Sequence, residues 1–324
     1  MSDFSAFDVL EDLPARNSTT LLEASAGTGK TWTIGALVTR YIVEGHALPD
    51  ELLVVTFGRA ATRELRQRVR EQLTVAYEAL RDRAVTEPRD ALLALLVTGE
   101  ENVLAERERR ARSALANYDS ATIVTTHEFC SLVLRSLGAA GDFDAGAKLV
   151  ENLDDLVDEV VADLYLQRYG SLAKAPFKAE VAAKVGHFAV ENALAELTPN
   201  DGGTTTAGER REFAVAVRAE VDRRKRKRGL LSYDDLLSRL ADALKAADSP
   251  AAVRMRERWR YVLVDEFQDT DGVQWDVLDR AFSGYATMVL IGDPKQAIYG
   301  FRGGDIPTYL EAASKAAERR TLAT

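Results

Sequence analysis

The segment TLLEASAGTGKT (20–31) decides the fold class of this chain. An apolar run, TLLEA (20–24), leads into a glycine-rich loop, and a helical pattern follows it. This order is close to the phosphate-binding loop pattern G-x-x-x-x-G-K-[ST], with Ala24 in the place of the first glycine. A glycine-rich strand-to-helix turn without a ligand is the alternative. The Lys-Thr pair at the start of the helix favours the phosphate loop.

The residue types of this loop suit a magnesium nucleotide. Gly27 and Gly29 allow the backbone to wrap a phosphate, whose charge also meets the helix N-terminus. Lys30 reaches the β- and γ-phosphates, and the Thr31 hydroxyl ligates Mg²⁺. We therefore predict ATP and Mg²⁺ as cofactors. The predicted contacts are Ala24, Ser25, Ala26, Gly27, Thr28, Gly29, Lys30 and Thr31.

Composition limits the class of protein. The 324 residues are 46% hydrophobic and 29% charged, as in soluble globular proteins. The acidic N-terminus lacks the apolar core of a signal peptide, and no apolar run is long enough to span a membrane. Cys130 is the single cysteine, which excludes an internal disulfide and a thiolate zinc site. We expect a cytoplasmic protein, and its net charge of −9 disfavours a generally basic nucleic-acid binder.

Five continuous apolar runs predict strands that are buried on both faces of a parallel sheet. They are TLLEA (20–24), LLVVTF (52–57), ATIVTT (121–126), YVLVDE (261–266) and MVLIGD (288–293). Helical periodicity fills the gaps; after the second run, for example, apolar residues recur at Ala61, Leu65, Val69, Leu73, Ala76 and Leu80. The pattern predicts an α/β domain with a parallel sheet.

One long helix-forming stretch interrupts the alternation of strands and helices. It separates the third run from the fourth and is rich in Ala, Leu, Glu and Arg. We predict a helical insertion subdomain at 138–228 within an ATP-binding domain formed by 1–137 and 229–324.

Acidic residues follow the fourth strand, in DEFQD (265–269). The carboxyl ends of parallel strands share one edge of the sheet, so these residues lie beside the phosphate loop. We expect Asp265 to hold the metal and Glu266 to orient and deprotonate the attacking water. A strand that merely ends in polar residues is the alternative. Combined with the phosphate loop, DEFQD predicts a Mg-nucleotide hydrolase.

The fifth strand leads into GDPKQAIYGFRG (292–303). The Gln296 amide can hydrogen-bond a γ-phosphate or the attacking water. Aromatic residues near a strand end usually belong to the core. Here glycines flank Tyr299 and Phe301, with Arg302 beside them, which suggests an exposed loop where the rings stack on nucleic-acid bases.

Three further segments are candidate DNA contacts. Phe57, Arg59 and Arg63 follow the second strand, and both arginines are well placed at a helix start for a backbone phosphate. Thr126 and His127 follow the third strand, although a lone histidine there is more often structural. The run RRKRKR (223–228) is either a solvated helix face or a phosphate-binding patch, and we expect phosphate contacts from Arg224, Lys225 and Arg226.

Six ordered motifs resemble those of the UvrD/Rep-type superfamily 1 DNA helicases, and within them the RecB family. They are ASAGTGKT, VVTFGRAATREL, TTHEFC, LLSYDDLL, VDEFQDT and IGDPKQAIYGFRG, between residues 23 and 305. The resemblance implies that Lys30, Thr31, Asp265 and Glu266 serve ATP and Mg²⁺, and that Gln296 links the γ-phosphate to DNA. It also implies that the single-strand track is lined by Phe57, Thr126, His127, Tyr299 and Phe301. The implied fold is an α/β, RecA-like phosphate-loop NTPase domain with a parallel sheet and a helical insertion subdomain. Single-stranded and duplex-end DNA are the implied ligands, and RecC- and RecD-like subunits are the implied partners.

Three features depart from the family pattern. Residues 10–20 contain no glutamine to read adenine, and the insertion is shorter than in typical RecB proteins. The sequence stops at TLAT (321–324), before the second RecA-like domain and the nuclease domain of the family. We therefore expect an N-terminal half, either an engineered fragment or a truncated gene product. It would bind ATP and DNA but hydrolyse ATP poorly. The alternative is a non-catalytic, nucleotide-gated module that binds DNA or a partner protein.

Overall fold

The computed structural model describes residues 4–25, 27–83, 90–137, 148–150, 152–192, 196–246, 248–296 and 306–322. The chain divides into two compact units. The first comprises Met1–Gly141 and Leu237–Thr324, and the second is Asp142–Leu236. The second unit thus includes the LLSYDD segment, which our predicted boundary at residue 228 leaves out.

The first unit is built on a seven-stranded sheet in the order β1-β9-β2-β8-β7-β3-β4. Every recorded pairing in it is parallel. The strands are β1 (Ala6–Phe7), β2 (Thr19–Glu23), β3 (Leu52–Thr56), β4 (Thr122–Thr125), β7 (Tyr261–Val264), β8 (Thr287–Gly292) and β9 (Glu318–Leu322). This sheet confirms the predicted α/β fold class.

Helices connect the strands of the first unit. They are α1 (Lys30–Val43), α2 (Arg59–Asp82), α3 (Ala91–Leu96), α4 (Glu101–Ala116), α5 (Thr126–Leu137), α10 (Pro250–Arg258), α11 (Gly272–Phe282) and α12 (Ile306–Lys315). A further helix, α9 (Tyr233–Ala243), spans the boundary between the units.

The five predicted strands are present as β2, β3, β4, β7 and β8. All five residues of β3 and all six of β8 are buried, as expected of strands covered on both faces. The strands β1 and β9 were not predicted. The first has two residues, and the second, ERRTL, carries three charges near the edge of the sheet, so neither shows a continuous apolar run.

The helix α2 packs one face against the sheet and α1. Five of its six predicted core positions are buried, but Ala61 is exposed and its neighbour Thr62 is buried instead. The reason is a hydrogen bond of 2.5 Å between the hydroxyls of Thr62 and Thr56, which turns this polar side chain toward the end of β3.

The second unit is largely helical. It contains α6 (Asp154–Tyr169), α7 (Ala179–Glu191) and α8 (Thr206–Arg228), with a two-stranded parallel pair of β5 (Lys148–Leu149) and β6 (Leu230–Leu231). Its core holds a cluster of four aromatic rings at centroid distances of 5.3–6.4 Å, namely Tyr165, Tyr169, Phe177 and Phe213. Across the described segments of the chain, no helix is both long and apolar enough to cross a membrane.

Candidate nucleotide and DNA site

The carboxyl ends of the parallel strands place most of the predicted site at one edge of the sheet. The phosphate loop follows β2, Phe57 follows β3, Thr126 follows β4, and the 265–269 segment follows β7. Backbone hydrogen bonds tie neighbouring strand ends together, from the Ala24 N–H to the Gly292 carbonyl and from the Asp265 N–H to the Val55 carbonyl, both at 2.9 Å. We call this edge the strand-end rim.

The phosphate loop depends on two glycines in the left-handed region of backbone conformation. Gly27 has φ +83° and Gly29 has φ +79°, and a side chain at either position would be strained. A Cβ at Gly27 would meet no atom within 4 Å, so backbone conformation, not space, requires glycine there. The Thr28 hydroxyl closes the loop by donating to the Ser25 carbonyl at 2.8 Å. Ala24 is buried at the start of the loop, and Ala26 lies outside the described residues.

Lys30, the first residue of α1, reaches across to Glu266. Its Nζ lies 2.5 Å from Glu266 Oε2, and the lysine side chain is only 13% exposed. Glu266 has φ +48°, a conformation that is uncommon outside glycine and often occurs at functional sites. The ammonium group that we expect to bind phosphate is therefore paired with the carboxylate that we expect to activate water.

Asp265 and Thr31 are the predicted metal ligands. Burial, together with the neighbouring Glu266 charge, raises the pKa of the Asp265 carboxyl to about 6. A cation beside it would favour the charged form, so this buried carboxyl suits a metal site. The described side chains contain no group of three or more His, Cys, Asp or Glu residues that could hold a metal alone. The residues thus fit a cation that phosphate oxygens and water also coordinate, as is usual for Mg²⁺.

Gln268 is a site residue that our sequence analysis did not single out. It is 2% exposed, and its Nε2 donates to Glu266 Oε2 at 2.7 Å. Its Oε1 accepts the backbone N–H of Asp293 at 2.9 Å. The amide therefore connects the segment after β7 to the segment after β8. The DEFQD motif contained this glutamine. Its second partner, the Asp293 N–H, comes within reach only because β7 and β8 are neighbours in the sheet.

Gln296 lies at the end of the described part of the β8 segment. Its Nε2 donates to Asp293 Oδ2 at 3.0 Å, and its backbone N–H donates to the Asp293 carbonyl at 2.9 Å. Asp293 therefore anchors the predicted γ-phosphate sensor to the rim. The predicted stacking residues Tyr299 and Phe301, and Arg302 beside them, lie outside the described residues.

The remaining DNA candidates on the rim are Phe57, Arg59, Thr126 and His127. Phe57 is half-buried, and Arg59 is exposed at the first position of α2. Thr126 and His127 belong to the first turn of α5 and do not extend the strand. A capping box starts this helix, because the Glu128 carboxylate accepts the Thr125 N–H at 3.0 Å while the Glu128 N–H donates to the Thr125 hydroxyl.

The basic run on α8 is largely neutralised within its own unit. Arg224 contacts three carboxylates at 2.6–2.8 Å, those of Glu159, Asp163 and Glu220. Lys225 pairs with Asp235 at 2.7 Å, and the side chains of both bases are less than one-fifth exposed. Arg226 is exposed and forms no ion pair with the described residues. DNA contact by these three residues stays a prediction, and the ion pairs give two of them a structural role.

Comparison with known families assigns the chain. The model of the UvrD/REP helicase N-terminal domain matches residues 10–317, which include the phosphate loop, the 265–269 segment and the strands that position them. The chain belongs to this family. The resemblance inferred from the six motifs is thereby confirmed.

Relatives within the UvrD/REP helicase family are RecB subunits of RecBCD enzymes. The chain is 55% identical over 322 residues to the RecBCD enzyme subunit RecB of Mycolicibacterium smegmatis and 52% identical over 318 residues to that of Mycobacterium tuberculosis. These alignments cover 98% of this chain but 29% of each relative. It is 28% identical to the Escherichia coli RecB subunit, covering 94% of this chain and 36% of the relative. The chain thus spans less than a third of the mycobacterial relatives and resembles their N-terminal part.

Proposed function

We propose that this chain is the ATP-binding, N-terminal part of a RecB-like, ATP-dependent DNA helicase that acts in double-strand break repair and recombination. The observation that carries this proposal is the ion pair beside the phosphate loop, in which Lys30 Nζ lies 2.5 Å from Glu266 Oε2. A lysine at the helix start after β2 and a carboxylate at the end of β7, the next strand but one, are the groups that ATP hydrolysis uses to bind phosphate and to orient the attacking water.

Each residue of the site has a proposed role. The backbone of the phosphate loop and Lys30 bind the phosphates, and Thr31 and Asp265 hold Mg²⁺, which neutralises phosphate charge when bound. Glu266 orients and deprotonates the attacking water, and Gln296 contacts the γ-phosphate. Phe57, Arg59, Thr126 and His127 contact single-stranded DNA along the strand-end rim. Tyr299 and Phe301 stack on its bases.

Several properties of the parent protein belong to the same proposal. The motif resemblance implies 3′-to-5′ movement on single-stranded DNA and loading at duplex ends. The similarity to RecB subunits of RecBCD enzymes supports assembly with RecC- and RecD-like subunits. The 324-residue chain itself binds Mg-ATP weakly and single-stranded DNA in part. We expect negligible hydrolysis by this chain, because the family places further ATP-site arginines in a second RecA-like domain.

Nucleotide binding tests the proposal directly. Trp32 is 45% exposed in the first turn of α1, whereas Trp259 and Trp275 are buried. Titration with Mg-ATP should therefore change the fluorescence of Trp32, and the change should disappear in the Trp32→Phe variant while calorimetry still detects binding. Lys30→Ala should lose binding by at least tenfold, since the phosphates lose their cation. The matched control is Lys245→Ala, which removes an exposed lysine that pairs with Asp242.

The outcomes separate the proposal from its alternative. Equal Mg-ATP affinity of the Lys30→Ala variant and the Lys245→Ala control would overturn the assignment of the site. If the chain came from a non-catalytic module, the longer parent protein would bind ATP but would not hydrolyse it, even with Glu266 and Gln296 intact. Robust DNA-stimulated turnover by the 324-residue chain alone would contradict the expected dependence on a second domain.

A further inference from the structure

Four arginines form a stripe along α2. Arg59, Arg63, Arg66 and Arg70 follow one another at spacings of four, three and four residues. At 3.6 residues per turn these positions lie within an arc of about 60° on the helix surface, and they extend over about 17 Å along its axis. All four are exposed. We call them the arginine stripe.

Carboxylates of the described residues do not compensate three of the four charges of the stripe. Among the described residues, Arg63, Arg66 and Arg70 form no ion pair. Arg66 donates instead to the Ile123 carbonyl at 2.8 Å, and Arg70 lies 5.7 Å from the centre of the Tyr118 ring. Both partners are neutral, so three positive charges remain available on the surface of an acidic protein.

The acidic residues of α2 lie away from the stripe. Glu64, Glu71 and Glu78 are displaced from the centre of the stripe by roughly 90–130° around the helix. The arginine stripe is therefore free of acidic residues, and of the arginines on this part of α2 only Arg68 lies on the side of the glutamates. Interspersed charges would be the expectation for a solvated helix without a charged partner.

The run 223–228 provides the contrast. Its Arg223, Arg224, Lys225 and Arg228 all pair with carboxylates of the same unit. It is the more conspicuous basic feature of the sequence, yet most of its charge is used internally. The arginines of the stripe are separated in the sequence, and the α2 helix places them on one face.

The position of the stripe defines what it can bind. Arg59 lies three residues after the end of β3, on the strand-end rim, and α2 then runs along the edge strand β4 to Tyr118. A polyanion on the stripe would therefore be continuous with a ligand on the rim. Guanidinium groups bind phosphate oxygens through several N–H donors at once.

We propose that the arginine stripe binds the phosphate backbone of single-stranded DNA and extends the contact from the strand-end rim along the β4 flank. This inference rests on the proposed DNA-binding function of the rim. The surface reads no bases, so binding along it is independent of sequence and depends strongly on salt.

The salt dependence of oligonucleotide binding tests the proposal. Anisotropy of a labelled dT oligonucleotide would be measured at about 50 to 200 mM salt, and each lost phosphate contact on a single strand should reduce the slope of log K against log salt by about 0.7. Arg63→Gln/Arg70→Gln should therefore reduce the slope by about 1.4. The control Arg68→Gln/Arg112→Gln removes two exposed arginines that lie off the stripe and form no ion pair with the residues the structure describes. Its slope should equal that of the wild type.

A single substitution guards against a folding defect. Within the described part of the chain Arg63 forms no hydrogen bond or ion pair that Arg63→Gln would break, so this variant should fold like the wild type and reduce the slope by about 0.7. The Mg-ATP signal of Trp32 verifies each preparation independently of DNA. Slopes of the stripe variants that equal the control would overturn this inference while leaving nucleotide binding intact.

Two other outcomes are also decisive. Polyglutamate could displace the labelled oligonucleotide as effectively, charge for charge, as unlabelled oligonucleotide does. That result would identify the stripe as a surface for an acidic protein and overturn the assignment to DNA. Wild-type chain that binds Mg-ATP but no oligonucleotide would overturn both this inference and the proposed DNA-binding function.

Discussion

The Nε2 of Gln268 lies 2.7 Å from the Glu266 carboxylate, to which it donates a hydrogen bond. The same side chain receives the N–H of Asp293, and it lies against the backbone of Gly292. Because the nitrogen of this buried amide donates one hydrogen bond and its oxygen accepts another, the side chain is held in a single orientation. We infer that Gln268 fixes the position of Glu266 relative to the segment that carries Gln296.

Gly292→Ala should disturb this arrangement. A Cβ at residue 292 would lie 2.7 Å from Gln268 Oε1, so the glutamine must move. We expect a loss of stability of about 1–3 kcal/mol, measured by denaturant unfolding. Adding Gln268→Ser to Gly292→Ala should cost less than the sum of the two single changes, because the shorter side chain removes the overlap. Additive effects in this double-mutant cycle would contradict the contact.

Glu266→Gln should strengthen nucleotide binding. Lys30 pairs with Glu266 and must leave it to reach a phosphate. The glutamate is 37% exposed, and pairs of this kind contribute about 0.2–1 kcal/mol, so the affinity for Mg-ATP should rise by up to about fivefold. Calorimetry would measure it, with Glu311→Gln as a control that removes an exposed carboxylate from α12. Weaker binding by Glu266→Gln would show that the pair does not compete with phosphate.

Thr122→Val should destabilise the packing of β4, the outermost strand of the sheet. The Thr122 hydroxyl accepts the indole N–H of buried Trp259 at 3.1 Å. Valine has a similar shape but leaves this donor without a partner, which costs about 1–3 kcal/mol. Thr122→Ser keeps the hydroxyl and serves as the control in thermal unfolding. Equal melting temperatures of the two variants would show that the hydrogen bond contributes little.

Arg224→Met should make the stability of the protein less dependent on pH. Hydrogen bonds from Arg223 and Arg224 lower the pKa of the Glu220 carboxyl to about 2, and those from Arg228 and Arg224 lower the pKa of Glu159. A lowered carboxyl pKa stabilises the folded state above the unfolded value of about 4.3, and this contribution is lost as the pH falls toward the folded value.

The melting temperature measures this effect. Arg224→Met should melt about 2–4 °C below the wild type at pH 7, and the difference should close between about pH 5 and pH 2 as the carboxylates are protonated. Arg280→Met is the control, because it removes an arginine that pairs with Asp276 on α11 at 2.6 Å and not with Glu220 or Glu159. A difference that persists at low pH would assign the effect of Arg224→Met to packing of its side chain.

The centre of the sheet could be predicted from sequence because its strands are covered on both faces. Strand β9 was not predicted because its two arginines form ion pairs with residues that are distant in the sequence. Arg319 pairs with Glu23 and Arg320 with Asp12, each at 2.7 Å. Short-range patterns carry no information about such pairs.

The same distinction applies to the site. The phosphate loop and the 265–269 segment are local patterns, so their residues could be assigned before the fold was known. The second partner of Gln268 and the carboxylates around Arg224 come from other elements of the fold. Sequence therefore identified the charged run but could not show that its charges are largely compensated, and it did not reveal that α2 gathers four separate arginines.

The strand order also constrains how the protein can fold during synthesis. Among the described strands, β2, which precedes the phosphate loop, pairs with β8 and β9, and about 260 residues separate β2 from β8. At about 5–20 residues per second, a ribosome needs roughly 13 to 50 s to supply that neighbour. The nascent phosphate-loop strand therefore waits unpaired while the whole helical unit emerges. Cells must shield it during this interval, and slow translation after the helical unit would lengthen its exposure to aggregation.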